Sequence, residues 1–301
     1  MPTTPASPAP LPSPGSPPAR AFRSAYERAL ALWPVAAERL DLEGEFGTTR
    51  VTACGPTGAP PLVLLGSGGT ASPGWYARVA ALARTHRVCA VDVLGAPGLS
   101  VPGGRPLRRP PELMAWLDGV LDGLGADRAA LLGHSYGGWI ALSYAVHAPD
   151  RVARLALLDP TQCFAGYRAS YLVRAAPLFV RPGAASARRF LAWESRGGPA
   201  VAPELVGLMG AGGRAFRGRP VTGPRPAAAR LGSAAPPALV VLAGRSRAHD
   251  VARVAESARR ALPGVRLAAP ADCGHHVLPE LRSAELDRRL GNFLADGADG
   301  A

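Results

Sequence analysis

The stretch Ala129-Ala130-Leu131-Leu132-Gly133-His134-Ser135-Tyr136-Gly137-Gly138-Trp139 decides how the rest of the chain is read. Its first four residues form a short apolar run of strand type, and Trp139, Leu142 and Ala145 then recur at helical spacing. Between the two lies Gly133-x-Ser135-x-Gly137, the G-x-S-x-G pattern of a nucleophile elbow. Such an elbow is a sharp strand-to-helix turn that holds a serine in a strained backbone, with glycines where strand and helix approach closely. Ser135 is therefore expected at the carboxyl end of a sheet. The free N–H groups and positive dipole end of the next helix should point at the same spot and favour developing negative charge. In a chain with 36 glycines the bare pattern is weak, and its strand and helix flanks give it weight. They also account for the absence of Asp, Glu and Arg between Ala129 and Pro149, a stretch about as long as a membrane span.

Outward from the elbow, strand-like and helical runs alternate. Strands are expected at Thr48 to Cys54, Pro61 to Leu65, Val88 to Val91, Ala129 to Leu132 and Leu155 to Leu158. Helices are expected at Trp75 to Thr85, Pro111 to Leu124 and Gly137 to His147. This βαβ rhythm predicts an α/β fold with a mostly parallel sheet covered by helices on both faces. From Pro160 to Pro237 the rhythm stops. Tyr167 to Phe179, Ala187 to Glu194 and Pro203 to Met209 have helical character, while Gly210 to Arg230 is rich in Gly, Pro and Arg. So long an interruption reads as a helical cap of about residues 160–237, inserted into a domain of residues 20–301. The sheet resumes at Ala238 to Ala243, followed by helix Val251 to Leu262, strand Arg266 to Ala268 and helix Ala284 to Leu294. At the other end, residues 1–19 are mainly Pro, Ala and Ser and read as a disordered tail. An amphipathic helix through Phe22, Tyr26, Leu30 and Trp33 follows, stopped or kinked by Pro34.

Composition narrows the class. At 301 residues and 48% hydrophobic, the chain can bury a large core without disulfides. A net charge of +12 would suggest phosphate or acidic partners, but all 34 basic residues are Arg, which reads as codon bias. They lie singly or in pairs, with no basic run or interleaved aromatics, so no nucleic-acid partner is expected. The four cysteines, Cys54, Cys89, Cys163 and Cys273, are widely spaced and read as buried free thiols, not zinc ligands. The N-terminus lacks a charged and then apolar leader, and a cytoplasmic protein without a membrane partner is the expectation.

Gly133-His134-Ser135-Tyr136-Gly137-Gly138, Asp92 through Ser100 and Gly274-His275-His276 together resemble the α/β-hydrolase superfamily, nearest its carboxylesterase-like members. The resemblance runs from about Gly44 to Leu294. It implies a Ser-His-acid triad, an oxyanion hole built from backbone N–H groups, and no metal or organic cofactor. Tyr136 follows the nucleophile and supplies the first N–H. The second falls in Gly66-Ser67-Gly68-Gly69-Thr70, with Gly68 preferred over Gly69, although Gly66 stands where the family commonly has His. His275 fits the base, lying after the last strand. His134, His276, His86, His147 and His249 read as structural. Arg247 occupies the family's usual acid position and cannot accept a hydrogen bond from His275. Two acids then compete: Asp159, ending the strand before the interruption, and Asp250, equally readable as a helix N-cap. Asp159 is favoured because neighbouring strand ends converge on one crevice. Asp92 reads as a brace for its turn, with Gly95 and Gly98 supplying turn conformations. Phe164, Tyr167, Tyr171, Phe179, Phe190 and Trp193 either line an acyl pocket or form the cap's own core, and Arg214, Arg217 and Arg219 read as a solvated loop.

The resulting expectation is a serine hydrolase that cleaves a carboxylic ester or related small acyl substrate through an acyl-enzyme on Ser135. A serine nucleophile disfavours dehalogenase and epoxide-hydrolase chemistry, which need a carboxylate nucleophile. A cofactor-free haloperoxidase-like perhydrolase or a carbon–carbon bond hydrolase is the alternative, and a receptor-like binding protein with little turnover stands behind it. The sequence carries no sign of oligomeric state.

Overall fold

The computed structural model describes residues 15–216, 220–268 and 272–296. Helix α1 (Pro17–Leu30) leads into an antiparallel pair, β1 (Glu38–Gly44) and β2 (Gly47–Cys54). Then come β3 (Pro61–Leu65), the short α2 (Val79–Leu82), β4 (Arg87–Val91), the two-residue β5 (Val101–Pro102) and α3 (Pro110–Gly123). The elbow unit is β6 (Ala129–His134) with α4 (Tyr136–His147), followed by β7 (Val152–Leu158). Helices α5 (Ala169–Val180), α6 (Ala184–Glu194) and α7 (Pro203–Ala215) intervene before β8 (Ala238–Val241), α8 (Val251–Ala261), β9 (Arg266–Ala268) and α9 (Ala284–Ala295). One sheet runs in the order β1-β2-β4-β3-β6-β7-β8-β9, with β5 on the side of β2. From β4 to β9 every pairing is parallel, so all these strands deliver their carboxyl ends to one edge.

Period-two side-chain alternation divides the core. Val63, Leu65, Cys89 and Val91 pack with α3, α4 and α8 on one face, while Leu62, Leu64, Val88 and Ala90 pack with α1, α2 and α9 on the other. Helices α5 to α7 join the second face through Tyr171, Phe190, Leu205 and Leu208.

Several boundaries differ from the sequence reading. Of the expected disordered tail, residues 1–14 lie outside the described residues. Pro17–Ala19 belong to the first turn of α1, where the Ser16 side chain accepts from the Ala19 N–H and proline suits the helix start. Helix α1 ends at Leu30, before Pro34, and Glu38–Gly44, for which no strand was expected, form β1, where Leu40 and Leu42 alternate along an edge strand paired to β2. The expected helix Trp75 to Thr85 is a 3-10 turn at Ser72–Trp75 and then α2. Helix α7 continues through the glycines that read as a loop. A Cβ on Gly210 would stand 2.6 Å from the Ala184 Cα, and one on Gly212 would stand 3.0 Å from Pro97, so both are packing contacts inside the helix.

Candidate active site

The elbow is built by exclusion of side chains. A Cβ on Gly137 would stand 1.9 Å from the Leu65 carbonyl oxygen, and one on Gly133 would stand 2.4 Å from the Gly137 oxygen. Only glycine lets α4 start this close to β3 and β6. Ser135 sits between them at φ 55° and ψ −116°, a strained conformation. Its N–H donates to the Leu158 carbonyl at 3.1 Å, which ties the turn to the end of β7.

His275 and Asp159 come to it from two other strand ends. His275 Nε2 lies 2.8 Å from Ser135 Oγ, and its Nδ1 lies 2.6 Å from Asp159 Oδ2. All three are buried, and Asp159 and His275 are wholly so. Asp159 stands directly after β7 with φ +40°, and four donors converge on its carboxylate. His275 Nδ1 and Ser246 Oγ reach Oδ2, each at 2.6 Å. His249 Nε2 at 3.0 Å and the Ala243 N–H at 3.1 Å reach Oδ1. Burial by itself would raise this carboxyl, but the His249 and His275 imidazoles outweigh it and hold the group below the usual carboxylate range. Asp250 lies elsewhere: it caps α8, accepting the Arg253 N–H at 3.0 Å, and faces Arg168 at the surface.

Three further histidines, His134, His249 and His276, surround His275 and Asp159, while His86 and His147 lie away from them. Burial and the neighbouring His275 push His134 down to about 3, and the neutral ring bonds the His275 carbonyl at 3.0 Å. His276 is half-buried with Nε2 3.2 Å from the Tyr171 hydroxyl on α5. His249 belongs with Asp159, a role no sequence motif marks. Ser246 and His249 both lie in the turn after β8, so the segment where Arg247 displaces the family's usual acid supplies two donors to an acid one strand away. Glu194, the last residue of α6, is the other contribution not foreseen. Its carboxylate accepts the backbone N–H of His275 at 2.5 Å and of His276 at 3.3 Å. Burial raises its pKa.

Beside Ser135, the Gly137 N–H is taken by the Gly66 carbonyl at 3.1 Å, and those of Gly138 and Trp139 by the Ser135 carbonyl at 3.0 and 3.2 Å. Tyr136, the first residue of α4, has no backbone acceptor among the described residues. Nor does Gly68 in the loop after β3, where an added Cβ would meet nothing within 4 Å. Gly69 next to it faces Met209 of α7.

Asp92 braces its turn, accepting the Ser72 N–H at 2.9 Å and the Leu99 N–H at 2.7 Å. Gly95 has φ +82°, but Gly98 is needed for close approach, since its Cβ would stand 2.8 Å from that of Asp92. Tyr171, Phe190 and Trp193 pack on one another, and the Tyr171 ring meets the His275 ring at 6.2 Å. Phe164 is buried in the opposite core, and Phe179, 78% exposed, serves neither pocket nor core. Arg214 is exposed with Nε on the Pro182 carbonyl, whereas Arg217 and Arg219 lie outside the described residues. Among the described residues no cluster of His, Cys, Asp or Glu is arranged to hold a metal.

A mostly parallel sheet with a strained serine at a glycine-flanked elbow defines the class, and the chain has the α/β-hydrolase fold. It matches the alpha/beta hydrolase fold family over residues 60–187. Carboxylesterases are among the proteins it is similar to. It is 34% identical to carboxylesterase YbfK of Bacillus subtilis over 172 residues, 57% of each chain. The crystal structure of that carboxylesterase superposes with TM-score 0.83 at 28% identity, covering 92% of this chain and 98% of the other. The crystal structure of naproxen esterase from B. subtilis gives TM-score 0.82 at 26% identity, with 92% and 98% covered. A shorter likeness, 39% over 106 residues, is to 2-hydroxymuconate semialdehyde hydrolase of a Pseudomonas species, covering 34% of this chain and 36% of the other. In sequence, then, the chain spans little more than half the length of the curated carboxylesterase it matches.

Proposed function

We propose that the chain is a serine carboxylesterase working through an acyl-enzyme on Ser135. The observation that carries this reading is the unbroken contact from Ser135 Oγ through His275 to Asp159 at a strained elbow. In the proposed reaction the Ser135 oxygen attacks the ester carbonyl while His275 Nε2 takes its proton. The alcohol leaves with that proton, and His275 then activates a water that releases the acid and restores Ser135. Asp159, held ionised by its donors, keeps the proton of His275 on Nδ1, so that Nε2 is free to accept. The Tyr136 and Gly68 N–H groups take the oxyanion, with α4's positive end behind it. Residues of about 160–237 act as the cap, bringing Tyr171 over the imidazole. Four buried free cysteines favour a reducing compartment, in keeping with a cytoplasmic protein. Among the described residues no helix is long and apolar enough to cross a membrane.

The likeness to 2-hydroxymuconate semialdehyde hydrolase favours one second reading, hydrolysis of a carbon–carbon bond beside a ketone by the same three residues. A panel of p-nitrophenyl esters and diketones separates them. Ester turnover by the native chain, lost by roughly 10⁴-fold or more in Ser135→Ala with unchanged circular dichroism, supports the esterase. Turnover of diketones alone moves the assignment to the second reading, and a folded chain inert on both panels overturns the enzyme.

A further inference from the structure

Of the five large apolar side chains most exposed to solvent among the described residues, four lie on α5: Leu172 at 52%, Val173 at 71%, Phe179 at 78% and Val180 at 76%. With exposed Ala176 they fall within one arc of about 120° along the helix. The opposite side carries Tyr171, Ala175 and Leu178 and packs inward, Tyr171 reaching His276 through its hydroxyl. Helix α5 is thus apolar on both sides, and among the described residues one side has nothing over it. A contiguous exposed apolar stripe marks an interaction site more often than ordinary surface.

Charge says what covers it. Residues 160–237 hold eleven arginines against two acids, Glu194 and Glu204, which puts nine of the chain's twelve net positive charges in this insertion. Glu194 is buried under His275. Arg168 and Arg181 are exposed at the two ends of α5, Arg174 is exposed within it but lies outside the stripe, over the Trp193 ring, and Arg188 and Arg189 are exposed on α6. Among these five, Arg168 is the one with a carboxylate within 4 Å among the described residues, Asp250 at 3.7 Å. Pairing this face with a second copy would bring two such arginine sets together, whereas an anionic surface neutralises them.

We propose that the outer face of α5 seats on an anionic lipid surface, with Leu172, Val173, Phe179 and Val180 entering the headgroup layer and the surrounding arginines on the phosphates. The expectation of no membrane partner concerns a leader and a spanning segment. A helix lying in the interface plane needs neither. Because the inner side of the same helix touches the residues beside Ser135, a seated molecule would hold its site against acyl lipids.

The test is cosedimentation of the Ser135→Ala chain with phosphatidylglycerol vesicles and with phosphatidylcholine vesicles. Using that variant makes binding independent of the esterase assignment. Binding to the anionic vesicles alone, weakened by 0.5 M salt, is expected. Replacing all four stripe residues by Ser should weaken it about tenfold or more, and Arg168→Glu with Arg181→Glu should cost about fivefold per site. Both variants should keep the native circular dichroism, since every altered side chain is exposed. A folded chain that ignores anionic vesicles overturns the proposal. So does light scattering that finds a dimer dissolved by the same four serines, which would assign the face to a second copy.

Discussion

Asp159 has two oxygens and four donors, and the donors come from three segments: Ala243 just past the end of β8, Ser246 and His249 in the turn that follows, and His275 beyond β9. With its lone pairs filled, the carboxylate cannot rotate to serve another partner. Asp159→Asn puts an amide where donors already point, and it weakens the hold on the His275 tautomer. A loss of roughly 10³- to 10⁴-fold in kcat on a p-nitrophenyl ester is expected. Asp250→Asn should leave kcat within about twofold, because asparagine caps a helix as well as aspartate does. Equal losses in the two variants, or near-native turnover in Asp159→Asn, would remove Asp159 from the proposed mechanism.

At the scale of elements, α6 ends at the imidazole loop. Glu194 grips two successive backbone N–H groups there, and Gly274 makes room for it, since a Cβ at that position would stand 2.9 Å from Glu194 Oε1. The insertion thereby acts on His275 through its backbone, so Glu194 is a positioning residue. Glu194→Ala leaves two donors without an acceptor, the His275 N–H fully buried, and a displacement near 1 Å of a catalytic group costs about 100-fold. The expected result is a fall in kcat of about 10- to 100-fold with KM little changed, and substantial recovery in Glu194→Gln, which keeps an acceptor oxygen. A KM effect with unaltered kcat would make Glu194 part of substrate binding instead.

At the scale of the molecule, a second buried carboxylate joins the same two parts. Glu280, in the 3-10 turn Leu278–Glu280, accepts the Ala202 N–H at 2.9 Å where α7 begins and meets the Tyr76 hydroxyl at 3.4 Å. Burial pushes it up to about 8 from an ordinary 4.5. A carboxyl raised on folding stabilises fully below its unfolded pKa and loses that contribution as pH rises through the folded one. Stability toward urea should therefore fall between pH 4.5 and about 8, with this one group contributing up to about 1.4 kcal/mol per pH unit. Glu280→Gln should flatten that slope. An identical slope in the variant would show that the carboxyl is ionised in the folded chain or that other groups set the dependence.

The fold was legible because its signals are local. An apolar run, a glycine-flanked serine and a helical run are neighbours in the chain, and steric exclusion at Gly133 and Gly137 acts over a few residues. The α/β alternation is read the same way, one element at a time. Strand β1 escaped because an edge strand buries little, and α7 looked broken because the glycines that pack it against Ala184 and Pro97 resemble helix breakers until their neighbours are known. The donors on Asp159 and the grip of Glu194 had no local mark. They lie 81 to 116 residues from their partners, and which strand end supplies the acid depends on parallel strands delivering their termini to one edge. Local pattern in the chain specifies the elbow and the strands of the sheet. Which carboxylate faces His275 is set by the fold, because desolvation and convergent donors exist only where distant segments meet.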